Sequence, residues 1–315
     1  MSTNVPWRCF AFLFFLGLIG QSALAVEPAK SAGKKTVRVM TIGNSFSQDA
    51  TFFLDELAAA DGNELILKTA NIGGSSMQQH WDKAQLHEKD PTDKAGVYTA
   101  DRGLKEILND GPHDFVTIQQ RSLASHDVET YRPYAANLQA YVKKHAPAAE
   151  LILHETWAYR VDDPRFSVKA PKAGEPKSHQ EMYEMLAKSY RAIAQELGVK
   201  VIPVGDAFYA ADTNPQWGYQ VDAKFDVKQA KHPALPDQTH SLHVGRKWST
   251  KDKSPATLGM DGHHASVAGR YLGACVWYEV LFKTSCVGNK FTAGLEGDYA
   301  RFLQETAHNA VEKNR

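Results

Sequence analysis

Along this chain, short unbroken apolar runs alternate with longer stretches whose apolar residues recur every three or four positions. The runs at residues 37–42, 64–71, 114–119, 151–154 and 199–204 are rich in Val, Ile, Leu and Thr, and most end at Gly, Asn or another polar residue. Runs of this kind read as strands buried on both faces, the form parallel sheets take. Helical spacing is found at residues 50–60 (Phe52, Phe53, Leu54, Leu57, Ala58), 101–109, 129–145 and 182–197 (Leu186, Tyr190, Ile193, Leu197). Asp61-Gly62-Asn63 and Asp110-Gly111-Pro112 supply stops, and Pro133 falls in a first turn, where proline is tolerated. Two more helices are expected, one over residues 266–282 and one over 294–312. The alternation predicts a single α/β domain with a mostly parallel five-stranded sheet covered on both faces. Residues 211–259 follow neither period. They are rich in Pro, Asp, Lys and His and exceed ordinary loop length, so they are expected to form an irregular insertion or lid.

The amino terminus has a different pattern. Arg8 precedes an apolar run at residues 10–18 that is too short to span a bilayer, and Ala23-Leu24-Ala25 supplies a small-x-small cleavage pattern. Residues 1–25 therefore read as a secretory signal cleaved after Ala25, with an uncleaved anchor as the alternative. Residues 26–35 read as a linker, 36–290 as the main domain, and 291–315 as a terminal helix packed on it. The mature chain is expected to be secreted or periplasmic, with no membrane association after cleavage. Lys+Arg and Asp+Glu both number 36, and this balance argues against a nucleic-acid partner. After signal removal only Cys275 and Cys286 remain. Eleven residues of helix would hold them about 16 Å apart, so two unpaired thiols are favoured over a disulfide unless the chain turns back.

Active sites of parallel α/β sheets gather at the carboxyl ends of the strands. There the sequence places Gly43-Asn44-Ser45-Phe46-Ser47, Gly73-Gly74-Ser75-Ser76 and Gln119-Gln120, and before a late helix Asp261-Gly262-His263-His264-Ala265-Ser266. A serine hydroxyl needs a base to become a nucleophile, and imidazole is suited to that near neutral pH. The bland reading of Ser45 is a helix N-cap. His263 competes with His264, and Ser47 and Ser75 with Ser45.

Gly43-Asn44-Ser45-Phe46 resembles the block that names the GDSL esterases, with Asn for Asp and Phe for Leu. Asp261-Gly262-x-His264-x-Ser266 resembles their closing block. With Thr156-Trp157-Ala158-Tyr159 and the glutamine pair, the chain resembles an SGNH-like (GDSL-type) hydrolase branch of unknown function. The resemblance implies a flavodoxin-like three-layer α/β/α sandwich and a carboxylic-ester hydrolase with Ser45 as nucleophile, His264 as base and Asp261 as its partner. It also implies an oxyanion hole from the Ser45 N–H and Gly74 (or Gly73). Gln119 or Gln120 would stand where the family has an asparagine, and the helix after Ser45 would add positive potential. No cofactor or metal is implied. Asn44, Trp157 and Tyr159 are candidate substrate contacts, and aromatic faces suit a small-molecule or polysaccharide ester, with an acetylated carbohydrate as the expected substrate. A non-catalytic glycan-binding module and a metal-dependent phospho- or sulfo-ester hydrolase are the rival readings. The latter would use the second Asp-x-x-His unit, Asp237 and His240 with His243, which lacks both the glycine and the following helix.

Overall fold

The five apolar runs become β1 (Thr36–Gly43), β2 (Glu64–Asn71), β3 (Phe115–Ile118), β4 (Glu150–His154) and β5 (Lys200–Ile202), all parallel and in the order β2-β1-β3-β4-β5. The structure is a computed structural model; it describes residues 1–3, 33–99, 101–250 and 255–315, of which Lys34–Arg315 form one compact unit. The export segment expected at residues 1–25, apart from its first three positions, and most of the linker lie outside the described residues. Among the described residues no helix is long and apolar enough to cross a membrane.

Val39, Met40, Ile42, Val116, Ile118, Ile152 and Leu153 in the middle strands are essentially sealed from water. Burial of each such side chain contributes about 1.5–3 kcal/mol, and the polar residues buried among them in β1 and β3 are the small Thr41 and Thr117. The edge strand β2 instead presents charge. Glu64 pairs with Lys34 at 3.1 Å and Lys68 with Asp110 at 3.0 Å, which discourages pairing with another chain.

The helices are α1 (Ser45–Ala50), α2 (Leu54–Ala60), α3 (Met77–Lys89), α4 (Leu104–Leu108), α5 (Tyr134–His145), α6 (His179–Leu197), α7 (Val204–Asp212), α8 (Val267–Phe282) and α9 (Gly297–Lys313). In one layer α1, α2, α7 and α9 pack on α8, while α3, α4, α5 and α6 form a chain of neighbours in the other. The crossover from β1 to β2 uses the first layer and the crossovers onward from β2 use the second. The winding therefore reverses between β1 and β3, opening a crevice at their carboxyl ends. The α8 helix is apolar nearly all round and correspondingly buried. A Cβ on Gly273 would stand 3.0 Å from Ala50 Cα, so this glycine lets α8 lie directly against the helix that starts at Ser45.

Three expectations need correction. The helix expected over 50–60 is two helices beginning at Ser45, because the Thr51 hydroxyl donates to the Ser47 carbonyl at 2.7 Å and a tight turn follows. Helix α3 was not expected, and the proline at 133 stands at the cap of α5. The stretch at 211–259 is not wholly irregular. It contains the end of α7, β6 (His243–Ser249) and the start of β7 (Thr257–Ala265), an antiparallel pair. Cys275 and Cys286 are both buried free thiols, as favoured above.

Candidate active site

The β1 strand ends on Gly43, where any side chain would collide with Ser47 Oγ at 2.4 Å and Gln119 Oε1 at 2.8 Å. Only glycine lets the chain turn this tightly beside β3. Asn44 then caps α1: its Oδ1 accepts from the Phe46 N–H at 3.0 Å and from Gln119 Nε2 at 2.8 Å, while its Nδ2 donates to the Ser75 carbonyl at 2.9 Å. Ser47 donates a short hydrogen bond to Gln119 Oε1, which also accepts from His154 Nδ1 at 3.2 Å. His154 is wholly buried, and burial pushes its pKa down to about 3, so it serves this network as a neutral donor. Ser45, the residue in the middle, is left free to face the crevice.

The partner arrives from 219 positions away. Hairpin β6–β7 carries Asp261-Gly262-His263-His264 to the rim, and Ser266 caps α8 immediately afterwards through the Gly269 N–H. His264 Nε2 lies 3.0 Å from Ser45 Oγ. On the other side of the ring, His264 Nδ1 is 3.1 and 3.2 Å from the two oxygens of Asp261, which also accepts the His264 amide at 3.2 Å. A carboxylate can only accept, so Nδ1 carries the proton and Nε2 offers its lone pair to the serine. The structure thus brings together Ser45, His264 and Asp261, and it separates His263 from the serine's hydrogen bond. His263 lies tilted against His264 with ring centres 4.1 Å apart and faces Tyr159 instead.

Electrostatics support that polarity. The hydrogen bond to Asp261 raises the His264 pKa above the ordinary imidazole range, against an opposing contribution from partial burial. Burial acts to raise the Asp261 pKa, but hydrogen bonds from the His264 ring, Lys247 and the His264 amide outweigh it and hold the carboxyl well below the usual range. Lys247 Nζ stands 3.0 Å from Asp261 Oδ2. Burial, and then the neighbouring His264, lower the His263 pKa.

Two residues that the sequence reading passed over lock the halves together. Asp49, one turn after Ser45, is buried; its Oδ2 accepts the Ala265 N–H at 2.9 Å, and its Oδ1 accepts from Arg270 Nε at 2.9 Å. The only signal was an acid four residues beyond the candidate serine, a spacing too common to single out.

A cavity of about 340 Å³ opens over Ser45, lined by Asn44, Phe46, Gly73, Gly74, Arg121, Ser122, Leu123, Tyr159, His263 and His264. Gly74 has φ +68°, which only glycine adopts without strain. Among the described residues neither the Ser45 nor the Gly74 backbone N–H has an intramolecular acceptor, so both are free to meet a ligand oxygen. The glutamines do not join them. Gln119 Nε2 is engaged by Asn44, and Gln120 Nε2 donates to the Thr130 carbonyl at 2.8 Å while its oxygen accepts from Met77 and Arg121 N–H groups. Both side chains are buried and absent from the cavity wall, so the expected third donor does not come from them. The six-residue α1 is also too short to add much helix dipole.

Trp157 is no surface platform. It is fully buried between Phe46 and Phe208, with ring centres 4.3 and 4.4 Å away, and its indole N–H donates to the His263 carbonyl at 2.9 Å. It therefore supports the histidine segment from beneath. Tyr159 does line the cavity, and Asn44 reaches it only as part of the turn. The second Asp-x-x-His unit does not converge. Asp237 accepts from Thr239 in its own turn, His240 packs against Trp217 and Tyr299, and His243 is buried with Nε2 donating to the Ala158 carbonyl. Among the described residues, the side chains close enough to share a metal ion are Asp261, His263 and His264, with ligand atoms within 4.8 Å of one another. Asp261 there already accepts from His264 and Lys247.

A parallel sheet of order 2-1-3-4-5 between two helical layers, with a serine after the first strand and an Asp-x-x-His unit before a late helix, is the three-layer α/β/α sandwich expected from the sequence. A DUF4886 family protein from Bacteroides uniformis ATCC 8492 is similar over 88% of this chain and 95% of its own, with a TM-score of 0.65 and 25% identity. A protein classed as an SGNH hydrolase from Slackia heliotrinireducens is more distant, with a TM-score of 0.47 and 20% identity over 78% of this chain and 98% of its own. No curated protein matches the sequence. The profile of DUF4886, a domain of unknown function, matches residues 38–226, more than half of the 315-residue sequence, and the chain belongs to that family.

Proposed function

We propose that this protein is an exported serine esterase that hydrolyses short acyl esters, acetyl above all, on a carbohydrate. The observation that carries the reading is the linear relay from Ser45 Oγ through the His264 ring to Asp261, with contacts of 3.0 and 3.1 Å. His264 Nε2 takes the Ser45 proton as Oγ attacks the ester carbonyl. The tetrahedral oxyanion is met by the Ser45 and Gly74 N–H groups. His264 then returns that proton to the departing alcohol oxygen as the C–O bond breaks, leaving an acyl-serine. Water, deprotonated by His264, attacks the acyl carbon, and the proton goes back to Ser45 as the carboxylic acid leaves. Asp261 holds the tautomer and stabilises the imidazolium. A cavity of about 340 Å³, at the small end of ligand pockets, suits a short acyl group. Tyr159 at its wall supports a sugar alcohol, and the amino-terminal pattern supports export.

The test is hydrolysis of p-nitrophenyl acetate by the wild type and by Ser45→Ala. Loss of turnover with an unchanged circular dichroism spectrum is expected, and full residual turnover would overturn the proposal. One observation favours a second reading, a glycan-binding module with weak or no catalysis. The engaged amides of Gln119 and Gln120 leave two oxyanion donors where a third was expected, and such a donor is worth about 2.7–4 kcal/mol. Polysaccharide binding by a folded protein without esterase turnover would favour it.

A further inference from the structure

The cavity over Ser45 is lined by no carboxylate, and its wall includes the guanidinium-bearing Arg121. Backbone contacts fix this residue at the carboxyl end of β3: its N–H donates to Gln120 Oε1 at 2.8 Å and its carbonyl accepts from Ala124 at 2.8 Å. The side chain is exposed, and among the described residues it has no hydrogen-bond, ion-pair or ring partner. Burial raises the pKa of Tyr159, another residue of the wall, and the Arg165 and Arg121 charges act against that rise. A second cation backs the same tyrosine. The Arg165 guanidinium lies 5.1 Å from the Tyr159 ring centre, and its Nε is buried with no acceptor. Nearby acids are largely occupied. Asp163 accepts the Arg165 N–H through one oxygen, and Asp261 lies behind His264, already held by Lys247. Arg121 and Arg165 thus place two cations beside the cavity, with Asp163 as the nearby opposing charge, although the chain as a whole has equal numbers of acids and bases.

From this placement we infer that the preferred substrate is an ester bearing a carboxylate, which Arg121 binds in the cavity. The inference rests on the ester-hydrolase reading above and narrows it. An unpaired guanidinium matches a carboxylate through two parallel N–H donors, a geometry a neutral sugar cannot reproduce. The same chemistry has two sources: the alcohol, as in an acidic sugar, or the acyl group, as in a dicarboxylic half-ester. Because Arg121 is exposed, the preference is modest, about tenfold in kcat/KM, and it shrinks as salt screens the charge.

The experiment measures kcat/KM for two matched pairs, 4-acetoxybenzoate against phenyl acetate, and phenyl hydrogen succinate against phenyl butyrate. The readout is the ratio of the charged to the neutral ester within each pair. In Arg121→Gln the ratio should fall about tenfold for one pair, and that pair tells whether the anion sits on the alcohol or the acyl side. Arg121→Lys should retain part of it, and 0.5 M NaCl should reduce the wild-type ratio but not that of Arg121→Gln. Turnover of the neutral esters with both ratios unchanged in Arg121→Gln would overturn this inference and leave the esterase reading intact. No turnover of any of the four esters by the folded wild type would remove the esterase reading, and this inference with it.

Discussion

The two ends of the proposed relay are built differently. The serine end is a buried network in which Asn44, Gln119, Ser47 and His154 hydrogen-bond to one another and leave Ser45, half-buried, facing the crevice. The histidine end is a two-stranded hairpin at the surface, with the His264 side chain 35% exposed and Lys247, its outermost charge, 60% exposed. The first holds a position by packing and amide hydrogen bonds, which barely respond to pH or salt. The second sets a protonation state, which must. The Asp49 bridge to Ala265 and Arg270, the Trp157 bond to His263, the Arg160 N–H bond to the Gly262 carbonyl and the His243 bond to the Ala158 carbonyl tie the hairpin to the core.

That contrast is broken most severely at the base. His264→Ala should reduce kcat by at least about a thousandfold with little change in stability, since the ring is half-exposed and what it supplies is proton transfer. Steady-state kinetics beside thermal melts would check it. Asp49→Ala should act on both halves, leaving the Ala265 N–H and Arg270 without an acceptor. We expect a loss of about 2–3 kcal/mol in denaturant unfolding and a fall in kcat exceeding that in KM. Gln119→Leu sharpens the comparison at the serine end. As a positioning residue it should destabilise by about 1–3 kcal/mol, with kcat falling only about tenfold, whereas an oxyanion donor would leave stability intact and lower kcat by about 10²–10³.

The smallest effect concerns pH. The reaction needs neutral His264, and its pKa is raised by the hydrogen bond to Asp261, so kcat/KM is present above that pKa and lost as pH falls through it. The acid limb should lie above the ordinary imidazole range. The Lys247 charge opposes the raising, so Lys247→Ala should move the limb to still higher pH, measured as the midpoint of the kcat/KM profile.

The same division explains what was legible in the sequence. The central strands announce themselves because burial on both faces favours runs of Val, Ile, Leu and Thr, and the three-layer parallel architecture followed from the strand–helix alternation and the family likeness. Helix α3 hid because its buried face includes His80 and His87 among Met77 and Ala84, so polar residues occupy positions an apolar period would mark. The hairpin β6–β7 hid because a two-stranded surface ribbon of Lys, Arg, Gly and His has no core period to show. At the site, Ser45, Asp261 and His264 were readable from short local blocks. The fates of Gln119, Gln120 and Trp157 were not, because the choice between facing the cavity and facing the core is made by contacts with Asn44, Thr130 and Phe208, all distant in sequence.

The most direct test of the account is labelling of the intact protein with a fluorophosphonate, followed by mass spectrometry of its peptides. The reagent phosphonylates only a serine whose proton a neighbouring base can remove. The account predicts a single adduct on Ser45, absent from His264→Ala; a folded wild-type protein that takes no label, or takes it on another serine, would contradict it.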